Sequence, residues 1–175
     1  HCFAQSGNAY KAALMLELCK ADWQPIFVNY FNGQTRTPEY RSEVNEMGEV
    51  PVLVDGARKL TQSGVILDYL AEKTGTFGAK DDDERREILR WMFFDNHKFT
   101  SYIATLRFMV SLAKTGETPV TEFLRQRFNT SLKIVDGHLA GQPFLIGKRP
   151  TIADFSLCGY MFFGAELPLP LEPYP

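Results

Sequence analysis

The stretch Gly48-Glu49-Val50-Pro51-Val52-Leu53-Val54-Asp55-Gly56, followed by Gln62-Ser63, decides how the rest of the chain is read. Pro51 has no backbone N–H for a ladder, so it fits the opening of a strand and not its middle. A cis Val50–Pro51 bond would turn the Val50 backbone out of the sheet, leaving its N–H and C=O for a peptide-like guest. Asp55-Gly56 supplies hairpin-turn residues, and Arg58-Lys59-Leu60-Thr61 can return as the second strand. Gln62 and Ser63 then stand where the next helix begins. Helix starts carry unpaired N–H groups and the positive end of the macrodipole, so they hold carboxylates. A strand edge for a peptide backbone beside a helix start for a carboxylate describes a site for a small acidic peptide.

Upstream, His1 to Gln5 reads as the end of a strand and Ser6-Gly7-Asn8 as a turn. Ala9 to Lys20 has helical spacing, with Tyr10, Leu14 and Leu18 at four-residue steps. Ile26-Phe27-Val28 reads as a buried parallel strand. Thr37-Pro38 is a helix start, a capping hydroxyl followed by proline at the first turn. Downstream, Gly64 to Thr74 is a helix with Ile66, Tyr69 and Leu70 on one face, closed by Gly75. The order strand, helix, strand, helix, strand, strand, helix matches the thioredoxin-like α/β arrangement, over residues 1–75.

Residues 76–83 read as a linker, and 84–175 as an all-α domain. The run Asp81-Asp82-Asp83-Glu84 suits a solvated helix start. Glu84 to Lys114 reads as one long helix with Ile88, Trp91 and Met92 on one face. Thr118-Pro119 opens another, which carries Phe128, Leu132, Val135 and Leu139 at helical steps. In Thr151-Ile152-Ala153-Asp154 a cap hydroxyl and a carboxylate three residues on can each bond the other's backbone, so Asp154 reads as structural.

Composition narrows the function. A chain of 175 residues with 45% hydrophobic content can build a real core, a composition that argues against disorder. A formal net charge of −2 provides no basic field for nucleic acid. No apolar run is long enough to span a bilayer. Cys2, Cys19 and Cys158 are scattered, without metal-ligand spacing, and read as reduced thiols of a cytoplasmic protein. Most of the 14 Phe and 7 Tyr should be core, with some lining a pocket.

Val50-Pro51-Val52-Leu53, the turn, Gln62-Ser63 and the apolar helix after them resemble the glutathione-binding half of cytosolic glutathione transferases. Thr-x-x-Asp at 151–154 resembles the folding motif of their all-helical half. The resemblance implies a thioredoxin-like N-terminal domain joined to an all-α domain, glutathione as co-substrate, no metal and a cytoplasmic homodimer. It implies that Gln62 and Ser63 grip the γ-glutamyl end, Gln62 facing its ammonium and Ser63 its carboxylate, that Val50 and Pro51 lie along the peptide, and that Arg36 reaches the glycine carboxylate through paired N–H donors. Glu49 departs from the Lys or Gln common before Val-Pro and sets a negative charge beside an anionic peptide. Asn45-Glu46-Met47-Gly48 departs from the usual Asn-Pro-x-Gly. Without the resemblance, Ser63 is an N-cap and Arg36 a surface charge.

The chemistry needs a thiolate. A free thiol titrates near ~8.5, and bringing it to about 6.5 takes roughly 2.7 kcal/mol. A hydroxyl donor at a helix start can do this. Ser6 occupies the place of the activating serine in theta- and zeta-type transferases, and is the catalytic candidate; its alternative role is to cap the helix. Asn8 is the rival donor, as in some bacterial relatives, and Tyr10 reads as core. Ala9 stands where the beta class has its cysteine. Phe94, Phe99 and Tyr102 are candidates for the electrophile pocket, and His97 reads as packed or exposed. The implied activity is conjugation of glutathione to small hydrophobic electrophiles, a detoxification chemistry. A glutathione-dependent isomerase, a peroxidase or disulfide reductase, and a non-catalytic interaction module of the same fold are the alternatives.

Overall fold

The computed structural model describes residues 1–171, 173 and 174. The chain divides into two compact units, His1–Gly78 and Ala79–Pro175.

In the first unit, helix α1 (Gly7–Leu18) starts two residues earlier than its apolar spacing suggests, because Ser6 caps it: Ser6 Oγ accepts from Ala9 N at 3.1 Å. Helix α2 (Pro38–Glu43) begins at Thr37-Pro38 as read. Strands β1 (Val52–Asp55) and β2 (Arg58–Thr61) form the hairpin. Asp55 pairs with Arg58 in the ladder, so the loop is Gly56-Ala57, not Asp55-Gly56. Gly56 takes φ +58°, which suits glycine at the first position of a two-residue loop. Helix α3 (Ser63–Thr74) ends at Gly75 in the left-handed conformation.

The predicted strands at 1–5 and 26–28 are shorter than expected; each contributes one bridge, Cys2 to Phe27, and that bridge is parallel. His1 and Val52 exchange both backbone hydrogen bonds, at 2.8 and 3.1 Å. The backbone bonds therefore run across four segments in the order 26–28, 1–2, β1, β2, the thioredoxin-like order. Segment 26–28 lies at the edge, and only Val28 is buried; Ile26 is 46% and Phe27 71% exposed. An apolar run of three residues did not mean burial on both faces.

Helix α1 also turns a different face inward than the leucine spacing implied. Leu18 is 52% exposed, whereas Ala9, Ala12, Met15 and Leu16 are buried. Small alanines allow α1 to approach α3, which buries Ile66, Leu67, Leu70 and Ala71. Tyr69 is half-buried, and its hydroxyl donates to Asp55 Oδ2 at 2.6 Å.

In the second unit the long helix read at 84–114 is interrupted. Helix α4 (Asp82–Phe94) passes into a π-helical turn, Asp95–Phe99, then helix α5 (Thr100–Arg107) and a second π turn, Phe108–Leu112. The first π turn accompanies a buried carboxylate. Asp95 accepts from Thr100 Oγ1 and Ser156 Oγ, each at 2.6 Å. Helices α6 (Pro119–Leu139) and α7 (Ile152–Cys158) complete the bundle around Trp91, Phe99, Ile103, Leu106, Phe128 and Leu132. Asp154 acts structurally: Oδ2 accepts from Thr151 N and Oδ1 from Leu145 N, both at 2.8 Å.

The loop between α2 and β1 positions the candidate site. Tyr40 Oη and Asn45 Nδ2 both donate to the Glu49 carbonyl at 3.0 Å. Gly48 sits at φ +70°, and a Cβ there would stand 2.7 Å from the Thr35 carbonyl oxygen. Gly48→Ala should therefore destabilise the protein by about 2 kcal/mol or more in urea unfolding, from left-handed strain and the backbone clash. A loss under about 0.5 kcal/mol would mean that the loop is not held as described.

Candidate functional site

The candidate residues Ser6, Asn8, Val50, Pro51, Gln62 and Ser63 lie at two helix starts and one strand opening, and Arg36 lies on a separate short turn. Pro51 immediately precedes β1, is buried, and is joined to Val50 by a cis peptide bond. Among the described residues, nothing hydrogen-bonds to the Val50 N–H or C=O. Burial raises the Tyr40 phenol above its usual range, so it remains a donor to the Glu49 carbonyl across the physiological pH range. The chain is thus fixed one residue before the open backbone groups.

Gln62 caps α3 at φ +65°, an unusual conformation for a residue with a side chain. Its amide Nε2 donates to Glu49 Oε2 at 2.9 Å and contacts Met47 Sδ at 3.3 Å. The first i→i−4 bond of α3 runs from Ile66 N to Gln62 O, so the Ser63, Gly64 and Val65 N–H groups form the open start of the helix.

Ser63 Oγ donates to Asn8 Oδ1 at 3.4 Å. This contact joins the start of α3 to the first turn of α1. Asn8 accepts through its oxygen, which leaves its amide N–H groups as donors. The Ser6 hydroxyl caps α1. One lone pair of its hydroxyl takes the Ala9 N–H, while the O–H hydrogen can still donate. Tyr10 is half-buried.

Arg36 ends the short 3₁₀ turn Gln34–Arg36 and is exposed. Its guanidinium folds over Gly33, where a Cβ would meet Nε and Nη2 at 3.3 Å. Among the described residues Arg36 has no carboxylate partner, so its fork of donors can serve an anion.

Two features beside these residues were not anticipated. One is the Gln62–Glu49 bond; pairing across thirteen residues has no local signature. The other is an aromatic group: Phe3 stacks on Tyr30 with centroids 4.5 Å apart, and Phe31 meets both edge-on at 5.6 Å. The Phe3 carbonyl accepts the Ser6 N–H at 3.1 Å, so this group adjoins the turn that delivers Ser6. A separate cavity of about 420 Å³, walled by Ala12, Leu16, Trp23 and Leu70, includes Pro51 but none of the other predicted site residues.

The aromatic candidates of the second unit do not behave alike. Phe99 is 2% exposed and packs on Phe128 with centroids 4.8 Å apart, so it is a core side chain with no surface to offer a ligand. Phe94 and Tyr102 pack against the same core but are only partly buried. His97 is exposed. Among the described residues no group of three His, Cys, Asp or Glu side chains could hold a metal ion, and no helix is long and apolar enough to cross a membrane.

Both units resemble known proteins. Residues 1–72 match the glutathione S-transferase N-terminal domain, and residues 97–175 match the C-terminal domain. A glutathione S-transferase of Arabidopsis thaliana is 31% identical over 88% of this chain; the chain spans 63% of that protein's length. A maleylacetoacetate isomerase of Rhizobium meliloti strain 1021 is 32% identical over 87% of this chain and 75% of its own. A disulfide-bond oxidoreductase of Escherichia coli strain K12 is 27% identical over 99% of this chain and 83% of its own. Among solved structures, a glutathione S-transferase from Pseudomonas fluorescens Pf-5 superposes with a TM-score of 0.88 at 30% identity, covering 97% of this chain and 85% of that one. A glutathione transferase family member from the same organism, with two glutathione molecules bound, has a TM-score of 0.81 at 26% identity, covering 89% of this chain and 72% of that one. Two domain matches in sequence order, on a chain that already carries the strand edge and the paired helix starts, place this protein in the glutathione S-transferase superfamily.

Proposed function

We propose that this protein is a glutathione transferase that joins the glutathione sulfur to small hydrophobic electrophiles. The observation that carries this reading is the Ser63–Asn8 contact of 3.4 Å, which sets the start of α3 against the first turn of α1. A γ-glutamyl carboxylate held at the first helix start puts the cysteinyl sulfur of the same tripeptide within reach of the second. Between them the peptide backbone lies extended along Val50, and Arg36 receives the glycine carboxylate. The Ser6 hydroxyl donates to the sulfur and, with the α1 dipole, favours the thiolate; the thiol proton leaves to solvent. The thiolate then attacks the electrophilic carbon and forms a C–S bond, either displacing a leaving group or adding across a polarised double bond. The enzyme supplies a stabilised nucleophile and proximity. Of the aromatic candidates for contact with an electrophile, Phe94 and Tyr102 remain, since Phe99 is committed to the core.

A second reading is disulfide exchange, in which one glutathione thiolate attacks a disulfide sulfur and a second glutathione completes the reduction. The two glutathione molecules in the Pseudomonas fluorescens neighbour and the Escherichia coli relative support it. Turnover of a chlorodinitrobenzene and of hydroxyethyl disulfide, run in parallel, separates the two.

Homodimerisation is part of the proposal. On α4, Phe93 is 69% exposed and Leu89 lies four residues before it, an apolar pair open to a second copy. Phe93→Asp should weaken the dimer by about 2 kcal/mol, roughly thirty-fold in the dissociation constant, in sedimentation equilibrium. A wild-type monomer, or a variant that dimerises as well as wild type, would exclude this face.

Ser6→Ala should lower kcat for conjugation about a hundred-fold and raise the apparent pKa of the bound thiol, while Asn8→Ala costs under about five-fold. Because Ser6 is also a cap, its loss should cost about 1 kcal/mol of stability, which thermal unfolding reads separately. A hundred-fold loss with Asn8→Ala and little with Ser6→Ala would transfer the role to Asn8.

A further inference from the structure

Glu49 is the residue whose charge least suits an anionic peptide. The structure gives that charge a particular place. Glu49 Oε2 accepts from Gln62 Nε2 at 2.9 Å, so the carboxylate is held by the side chain of the residue that caps α3. With its amide N–H groups directed at Glu49 and Met47, Gln62 has only an acceptor, Oε1, to offer any other partner. Glu49 is exposed, and among the described residues no cation neutralises it.

The start of α3 therefore presents two opposite preferences side by side. The N–H groups of Ser63, Gly64 and Val65, ahead of the first helical bond at Ile66, favour an anion. Glu49 and Gln62 Oε1 provide only acceptors, and favour a cation. An ammonium offers donors and no acceptor, so it fits the second group and not the first. The head group that satisfies both carries an ammonium and a carboxylate on one carbon, as the free end of a γ-glutamyl peptide does.

We infer that Glu49 is a specificity-determining binding residue, whose carboxylate, oriented by Gln62, receives the α-ammonium of the γ-glutamyl head while the start of α3 holds its α-carboxylate. This rests on the glutathione reading and adds to it the source of ammonium recognition. Gln62 by itself is neutral; the negative charge comes from Glu49. The site then selects for ligands with a free α-amino group and against peptides acylated there.

Calorimetric titration of the full chain tests this with two ligands: glutathione, and its desamino analogue in which hydrogen replaces the glutamyl ammonium. The proteins are wild type, Glu49→Gln, and Glu49→Gln combined with Gln62→Glu. Glu49→Gln should raise the glutathione Kd about five-fold, the scale of a solvent-accessible charge pair, and leave the analogue within about two-fold. The double variant puts the carboxylate on the neighbouring side chain and should recover most of the glutathione affinity. Equal losses for both ligands, no change for either, tighter glutathione binding by Glu49→Gln, or no recovery in the double variant would overturn the assignment. Wild-type protein that binds neither ligand would instead remove the glutathione reading itself.

Discussion

Two hydrogen bonds to a single carbonyl organise the site. Tyr40 and Asn45 both donate to Glu49 O, and both side chains are almost wholly buried. A buried donor left unpaired costs about 1–3 kcal/mol, so the burial of α2 and its following loop demands these bonds. They hold the chain one residue before Val50, whose N–H and C=O have no hydrogen-bond partner among the described residues. Asn45 also accepts from Met47 N at 3.1 Å, and Gly48 fits against Thr35 only because it lacks a side chain. The open strand edge is thus a consequence of packing elsewhere in the same unit.

Around that edge the charges are arranged by helix starts. Ser6 caps α1 and Ser63 is the first residue of α3, places where the macrodipole favours negative charge. In the proposed binding mode an anionic peptide brings a negative group to each such place, its γ-glutamyl carboxylate to α3 and its thiolate to α1. Lowering a thiol from about 8.5 to about 6.5 takes roughly 2.7 kcal/mol, within reach of one hydroxyl donor plus a helix start. Glu49 opposes this pattern; in the proposed binding mode its bond to Gln62 resolves the conflict by setting the negative charge at the end of the ligand that carries an ammonium.

Local chemistry made the helix starts and the hairpin legible. Thr37-Pro38, Thr118-Pro119 and Thr151 with Asp154 begin helices as their side chains imply, because a cap is satisfied within a few residues. Pro51 precedes β1 because it has no N–H for the ladder, which is also a local property. What depended on distant packing was not. The inward face of α1 is set by where alanines let α3 approach, and leucine spacing pointed to the wrong side. Segment 26–28 is apolar, yet it lies at an edge that covers only Val28. The π turn at Asp95 accompanies a carboxylate bonded to Ser156, sixty-one residues away. Phe99 was read as a pocket wall because its segment is aromatic, and its pairing with Phe128 puts it in the core.

The central claim is that an extended peptide lies against Val50 with its acidic head at the start of α3. Amide resonances followed during titration with S-methylglutathione, which binds but cannot react, test this most directly. The Val50, Ser63 and Gly64 amide signals should shift together and saturate with one dissociation constant. Saturable binding that leaves those three signals in place would contradict the account.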